Sequence, residues 1–167
     1  MLGRTRAVAL VGLAAHVVDV ESHLATSLPA FTLVGLPYTS LAEARDRVRA
    51  AITSCGLTWP NRRITVNLSP ATLPKTGSSF DLAVAVATLA GAGVVDVASV
   101  AGWVHLGELG LDGRLRPVRG VLPSVAAAVA AGHARVVVPR GNATEAGLVP
   151  GAQVLAADSL SQVLAHH

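Results

Sequence analysis

The chain has 167 residues, of which 51% are hydrophobic and 14% are charged, and its formal net charge is +3. This composition excludes a chain that is disordered over most of its length, because disordered chains are poor in apolar residues and rich in charge. No uninterrupted apolar stretch reaches the ~20 residues that a membrane-spanning helix needs. The mildly basic charge permits nucleic-acid binding without requiring it. We expect a single domain over residues 1–167.

The amino-terminal segment has two interpretations. Arg4 and Arg6 precede an apolar run, as in a secretory signal. The run continues as Val17-Val18-Asp19-Val20-Glu21, whose alternation is typical of a β-strand, and no clear cleavage site follows. We favour two strands, at 5–12 and 15–24, joined near Gly12. The single cysteine, Cys55, favours a reducing compartment, and we expect a cytoplasmic protein.

A third strand is predicted at 31–36, and a helix follows it. Ser40 and Glu43 have the spacing of a capping box, and Gly56 is placed as a carboxyl-terminal cap. Glu43 and Arg47 form a favourable i,i+4 pair, so we interpret Arg47 as an ordinary surface residue. Apolar residues at three- and four-residue spacing predict one buried stripe along this helix: Leu41, Ala44, Val48, Ala51 and Cys55.

The middle of the chain contains the most apolar helix. A strand at 64–68 and a loop at 69–79 precede a helix at 80–89, which we expect to be buried because it is apolar nearly all round. Ser78, three residues before Asp81, predicts its cap.

The second half begins with a linker rich in Gly, Val and Ala. Strands at 103–109 and 114–117 should then form a hairpin at Asp112-Gly113. The remaining predicted elements are a helix at 121–131, a strand at 135–138, a short helix at 142–146, a short strand at 153–155 and a helix at 159–164. This order predicts an α/β (α+β) fold, with a mixed sheet and helices mainly on one face.

Nucleotide and metal motifs are incomplete in this sequence. Lys75-Thr76 is the one Lys-Thr pair, but Pro74 precedes it and the preceding loop has no glycine, so a P-loop is absent. The histidines are scattered, without a helical His-x-x-x-His pair or a cysteine cluster. We therefore expect no metal site and no cofactor in this chain.

A serine loop at 74–79 is the most informative segment. A serine at the mouth of a buried helix could act as a nucleophile beside helix-end amides, or it could only cap the helix. This loop, with Gly107-Glu108-Leu109, Arg114, Pro117-Val118 and Gly120 downstream, resembles Lon-type peptidases. The resemblance implies that Ser79 is the serine position and that the partner lysine falls on Ser124. No lysine follows Lys75, so the dyad is broken and peptidase activity is not expected.

A second resemblance covers the whole chain. It is carried, in order, by Val34-Gly35-Leu36-Pro37, Glu43-Ala44-Arg45-Asp46-Arg47-Val48-Arg49-Ala50-Ala51-Ile52, Ile64-Thr65-Val66-Asn67-Leu68-Ser69-Pro70-Ala71, Leu73-Pro74-Lys75, Asp81-Leu82, Gly107-Glu108-Leu109 and Gly113-Arg114-Leu115-Arg116. These motifs resemble the amino-terminal domain of magnesium-chelatase-like AAA+ ATPases, the ComM competence family. The resemblance implies a Lon-protease-like fold of the ribosomal S5 domain 2 type, placed ahead of an ATPase module that this chain lacks.

The same resemblance implies the properties of a parent protein. It would bind ATP and Mg²⁺ through its own AAA+ module, form a hexameric ring with neighbouring subunits, and act as a helicase that drives branch migration of DNA. We therefore favour a non-catalytic accessory domain of an ATP-driven DNA-processing ring. The alternatives are a serine peptidase, disfavoured by the missing lysine, and a magnesium-chelatase subunit of tetrapyrrole synthesis.

Seven arginines are candidates for contacts with DNA phosphates: Arg45, Arg49, Arg62, Arg63, Arg114, Arg116 and Arg119. Arg45 and Arg49 lie one helical turn apart, where like charges disfavour the isolated helix. Phosphates, an acidic partner or the nearby Asp46 and Glu43 could compensate. For each arginine alone, ordinary solvated surface charge is the alternative.

Overall fold

The computed structural model describes residues 1–75 and 77–167, except for the side chain of Tyr38. Nine strands are present in these ranges: β1 Leu2–Val11, β2 Ala14–Ala25, β3 Ala30–Val34, β4 Arg63–Ser69, β5 Val104–His105, β6 Glu108–Leu109, β7 Leu115–Arg116, β8 Arg135–Pro139 and β9 Gln153–Ala157. The α-helices are α1 Tyr38–Ser54, α2 Asp81–Gly91, α3 Val97–Ala101, α4 Val121–Ala130, α5 Ala143–Ala146 and α6 Leu160–His166.

Seven of the strands form one mixed sheet in the order β3-β4-β2-β1-β5-β8-β9. The pairs β1–β2 and β2–β4 are antiparallel, and the other pairs are parallel. The predicted α/β fold with a mixed sheet is confirmed. The two predicted amino-terminal strands are confirmed as β1 and β2, and they lie side by side in the middle of this sheet.

The two faces of the sheet are covered by different helices. Alternate side chains of β1 point to opposite faces, so that Ala7 and Ala9 belong to the larger core and Val8 to the smaller one. Helices α1, α2, α3 and α6 contribute to the larger core, and α4 and α5 to the smaller one. Most helices therefore lie on one face, and α4 and α5 cover part of the other.

Helix α2 is buried over its whole length, as predicted. It lies so close to β1 that a Cβ atom added to Gly3 would be 1.8 Å from the carbonyl oxygen of Ala87. Only glycine permits this approach, because any side chain at that position would collide with the helix backbone. The apolar sequence of α2 thus corresponds to its central place in the fold.

Both predicted amino-terminal caps are wrong. Helix α1 begins at Tyr38, after Pro37, with no side-chain cap, so Ser40 lies inside the first turn and not at its start. Helix α2 follows Phe80, also without a side-chain cap, and the Ser78 hydroxyl donates to Glu108 instead. At the other end of α1, Gly56 has a φ of +78° directly after the Cys55 cap and ends the helix as expected.

Two further details differ from the prediction. The linker after α2 contains α3, which Asp96 caps by accepting from the Ser99 amide over 2.8 Å. The predicted strand 103–109 is divided: β5 joins the large sheet, whereas β6 pairs with β7 in a separate two-stranded sheet. The hairpin turn at Asp112-Gly113 and the later elements are confirmed. No helix in the described ranges is long and apolar enough to cross a membrane.

Candidate functional site

A groove of about 560 Å³ lies beside the edge strand β3, between the polar face of α1 and the segment that leads into β4. Three of the candidate arginines line it: Arg45 and Arg49 from α1, and Arg62 from the segment before β4. We refer to it as the arginine groove. The fold therefore brings together basic side chains from two separate parts of the chain.

Two aromatic rings also line the arginine groove. The rings of Phe31 and Trp59 are 5.7 Å apart and tilted by 50°. The guanidinium carbon of Arg49 lies 5.9 Å from the centre of the Trp59 ring, at the outer range of a cation–π contact. Neither aromatic residue is among the site residues predicted from the sequence. A doublet of basic residues three positions after a tryptophan, at Arg62-Arg63, was the available signal.

The charge in the arginine groove is predominantly positive. Its acidic lining residue is Asp46, whose carboxylate lies 3.3 Å from Nε of Arg45. The Arg45 side chain is 42% exposed and that of Asp46 69%, so water and salt weaken this pair. Asp46 thus compensates Arg45 in part, as one of the alternatives anticipated, while Arg49 lies near the Trp59 ring and makes no ion pair in the described residues.

The other candidate arginines do not line the arginine groove. Arg63 donates to the Ser27 hydroxyl over 3.2 Å at the start of β4. Arg114 lies 3.8 Å from Asp112 in the hairpin turn, with 81% of its side chain exposed. Arg116 is exposed on β7. Arg119 lines a second pocket, together with Gly77, Ser78 and Ser79.

This second pocket, which we call the serine pocket, has a volume of about 420 Å³ and includes Ser78, Ser79 and Glu108. Glu108 accepts a hydrogen bond from Ser78. Ser124, at the lysine position implied by the Lon-type resemblance, is buried in α4, where its hydroxyl donates to the Gly120 carbonyl over 2.7 Å. In the described residues, no basic side chain is hydrogen-bonded to Ser79.

The one lysine of the chain is engaged elsewhere. Lys75 is 2% exposed, and its Nζ donates to the carbonyl oxygens of Pro70 and Leu73 over 2.5 and 2.8 Å. Burial lowers its pKa from the ordinary value. The ammonium group thus bridges two carbonyl groups of the segment that precedes it, a role that the sequence alone did not suggest.

Arg47 corrects the prediction that it is an ordinary surface residue. It forms two hydrogen bonds to Asp81, over 2.7 and 3.1 Å, and Asp81 is 1% exposed. Burial raises the pKa of Asp81 to about 6, against the opposing effect of Arg47. The i,i+4 contact with Glu43 is also present, but at 3.8 Å it is the longer one. The shorter pair with Asp81 could not be inferred locally, because Asp81 belongs to another helix.

Three histidines that are distant or terminal in the sequence lie together in the structure. His105 is fully buried and hydrogen-bonded to Thr5 and His167, and His166 lies beside His167. Burial lowers the pKa of His105 well below its ordinary value. Across residues 1–75 and 77–167, no group of three or more His, Cys, Asp and Glu side chains is arranged to hold a metal ion.

Comparison with known proteins gives the same family as the sequence motifs. The model of the family described as subunit ChlI of Mg-chelatase matches residues 20–142, well over half of the chain. An uncharacterized protein of Mycobacterium tuberculosis strain H37Rv is 49% identical over 162 residues, covering 97% of this chain and 32% of that protein.

Two other relatives extend the comparison. YifB of Escherichia coli K12, also uncharacterized, is 41% identical over 94% of this chain and 31% of its own length. The competence protein ComM of Haemophilus influenzae is 40% identical over 93% of this chain and 30% of its own length. The chain thus spans about a third of the relatives it matches. From the extent of the family match, we conclude that this chain belongs to the Mg-chelatase subunit ChlI family of magnesium-chelatase-like AAA+ proteins.

Proposed function

We propose that this chain is a non-catalytic accessory domain of a ComM-type AAA+ ATPase that acts on DNA as a branch-migration helicase, and that its arginine groove contacts the DNA backbone. The similarity to a protein named competence protein ComM supports the DNA-processing role. The observation that carries the proposal is the convergence of Arg45, Arg49 and Arg62 on one groove that has Asp46 as its acidic residue.

The physical basis of the contact is the charge of the nucleic acid. Each arginine that reaches a phosphate releases condensed counterions, so binding is independent of sequence and weakens as salt rises. The planar guanidinium group also matches the geometry of phosphate oxygens. Three arginines support weak binding by the isolated chain, and repetition around a ring of subunits would strengthen it.

The catalytic part of the proposed machine lies outside this chain. An AAA+ module would bind ATP and Mg²⁺, and neighbouring subunits would assemble with it into a hexameric ring in the cytoplasm. The relatives are about three times as long as the match, which leaves room for such a module. Sequencing the native reading frame beyond His167 tests this part: a GxxxxGK[ST] loop supports it, and a frame without one contradicts it.

DNA binding by the chain itself is tested by fluorescence anisotropy with labelled oligonucleotides over a range of salt concentrations. The triple variant Arg45→Ala/Arg49→Ala/Arg62→Ala should lose most of the affinity, and the slope of log affinity against log salt should decrease by about two to three. The matched control is Arg114→Ala/Arg116→Ala/Arg119→Ala, which removes the same charge outside the arginine groove and should lose much less. An equal loss of affinity in the two triple variants would show that overall charge, and not the arginine groove, determines binding.

A further inference from the structure

Trp59 is one of two tryptophans in the chain, and it lies in the segment that lines the arginine groove. It is partly buried, and part of its side chain packs against the larger core. Phe31, on the edge strand β3, contacts it at a ring-to-ring distance of 5.7 Å. The indole is therefore held in place, and it borders a groove that is open to a ligand.

The contact between the Trp59 ring and Arg49 is weak. The Arg49 guanidinium lies 5.9 Å from the ring centre, close to the ~6 Å limit at which a cation–π attraction is still significant. Arg49 is exposed and makes no ion pair in the described residues. Arg49 can therefore turn from the ring to a phosphate without losing an ion pair.

We infer that Trp59 is a stacking platform for an unpaired base, so that the arginine groove prefers single-stranded DNA to duplex DNA. The inference rests on the proposed function, since it specifies which form of DNA the same groove takes. Proteins that bind single strands without sequence preference combine basic grooves with aromatic rings on which bases stack. In a duplex the bases are already stacked and paired inside the helix, so the same contact would require a base to leave the stack.

The arrangement of charges agrees with one strand passing over the indole. Arg45 and Arg49 are separated by one helical turn, about 6 Å along the helix axis, and Arg62 lies on the segment that carries Trp59. Arginines thus line the arginine groove on both of the elements that form it, with the aromatic rings among them. This places the sugar-phosphate chain against the guanidinium groups and a base against Trp59.

The first test uses tryptophan fluorescence in the variant Trp103→Phe, in which Trp59 is the sole tryptophan. Trp103 precedes β5, the fifth strand in the sheet order, whereas Trp59 contacts β3, the first. An oligo-dT strand of about 20 nucleotides, at least the site size of one binding domain, should quench the emission, and a duplex of the same length should quench it much less. Strand binding by anisotropy without a change in emission would overturn the stacking inference.

The second test compares Trp59→Leu with Trp59→Phe, after thermal melting has shown that each is folded. Leucine keeps apolar contact with Phe31 but cannot stack, so affinity for the strand should decrease about tenfold while duplex affinity changes less than about twofold. Phenylalanine should restore much of the strand affinity. If Trp59→Leu does not fold, the fluorescence titration decides the question alone.

The two tests separate the inference from the proposed function. If neither the strand nor the duplex binds the unmodified chain at low salt, the proposed DNA contact fails, and the stacking inference fails with it. The other outcome is that strand and duplex bind with equal affinity and that Trp59→Leu either changes neither affinity or lowers the two by the same factor. In that case the arginine groove still contacts DNA, but Trp59 does not stack on a base.

Discussion

The Arg47 side chain donates two hydrogen bonds to the buried carboxylate of Asp81, and these bonds join helix α1 to the central helix α2. The same carboxylate accepts from the Leu109 amide over 3.2 Å, which connects both helices to β6. Helix α1 carries two arginines of the arginine groove, and β6 carries Glu108 of the serine pocket. Asp81 and its partners thus connect one element of the arginine groove with one element of the serine pocket.

Replacing Arg47 with Met should destabilise the fold by about 3 kcal/mol, because it leaves the Asp81 carboxylate buried without its charge partner. Urea unfolding followed by circular dichroism measures the change. The control is Arg140→Met, which breaks the exposed pair with Asp158 and should cost less than about 1 kcal/mol. Similar losses in the two variants would show that the Arg47–Asp81 pair is no more important than a surface contact.

The titration of Asp81 should make stability depend on pH. Burial raises its pKa from 3.8 to about 6 in the folded chain, so the folded state binds this proton more tightly than the unfolded state. Its contribution to stability is therefore complete below about pH 4 and is lost as the pH rises through about 6, by on the order of 3 kcal/mol. The difference in unfolding free energy between wild type and Asp81→Asn, measured from pH 4 to 7, isolates this group. A difference that stays constant across the range would contradict the raised pKa.

Lys75→Met should destabilise the chain by about 2 kcal/mol, because the carbonyl oxygens of Pro70 and Leu73 lose the buried ammonium group that donates to both. The midpoint of chemical unfolding measures this. Arg114→Met serves as the comparison, since it also removes a positive charge but from an exposed side chain. An unchanged unfolding midpoint in Lys75→Met would mean that water satisfies the two carbonyl oxygens as well as the ammonium group does.

Asp46→Asn should raise the affinity of the chain for oligonucleotides about threefold, because it frees Arg45 and removes a negative charge from the arginine groove. Anisotropy titrations at low salt provide the measurement. Glu43→Gln removes the same charge from the same helix outside the arginine groove, and it should have a smaller effect. Equal increases would indicate that net charge alone determines binding.

The serine pocket should have no peptidase activity. Wild-type protein and Ser79→Ala should release peptides from unfolded casein at the same background rate, because the residue at the lysine position, Ser124, donates its hydroxyl to the helix backbone. Cleavage that disappears in Ser79→Ala would restore the peptidase hypothesis.

The main elements of the fold follow from local pattern. An apolar run around Gly12 that continues with alternating residues after Val18 predicts the β1–β2 strand pair, and a run that is apolar all round predicts the buried helix α2. Both patterns report burial directly, since the repeat of a strand or helix determines which side chains face the core. The starts of helices α1 and α2 do not follow from local pattern. Ser40 and Ser78 have the residue types of caps, but Pro37 and Phe80 occupy those positions, because packing decides where each helix begins.

By itself, the sequence determined the family, the mixed sheet and the set of candidate arginines, because motifs, periodicity and charge are local properties of the chain. Only the tertiary structure decided which arginines share a groove, that Phe31 and Trp59 line it, and that Arg47 is paired with Asp81. These relationships join residues that are far apart in the chain. They depend on how strands and helices are arranged in space, and a local pattern carries no information about that arrangement.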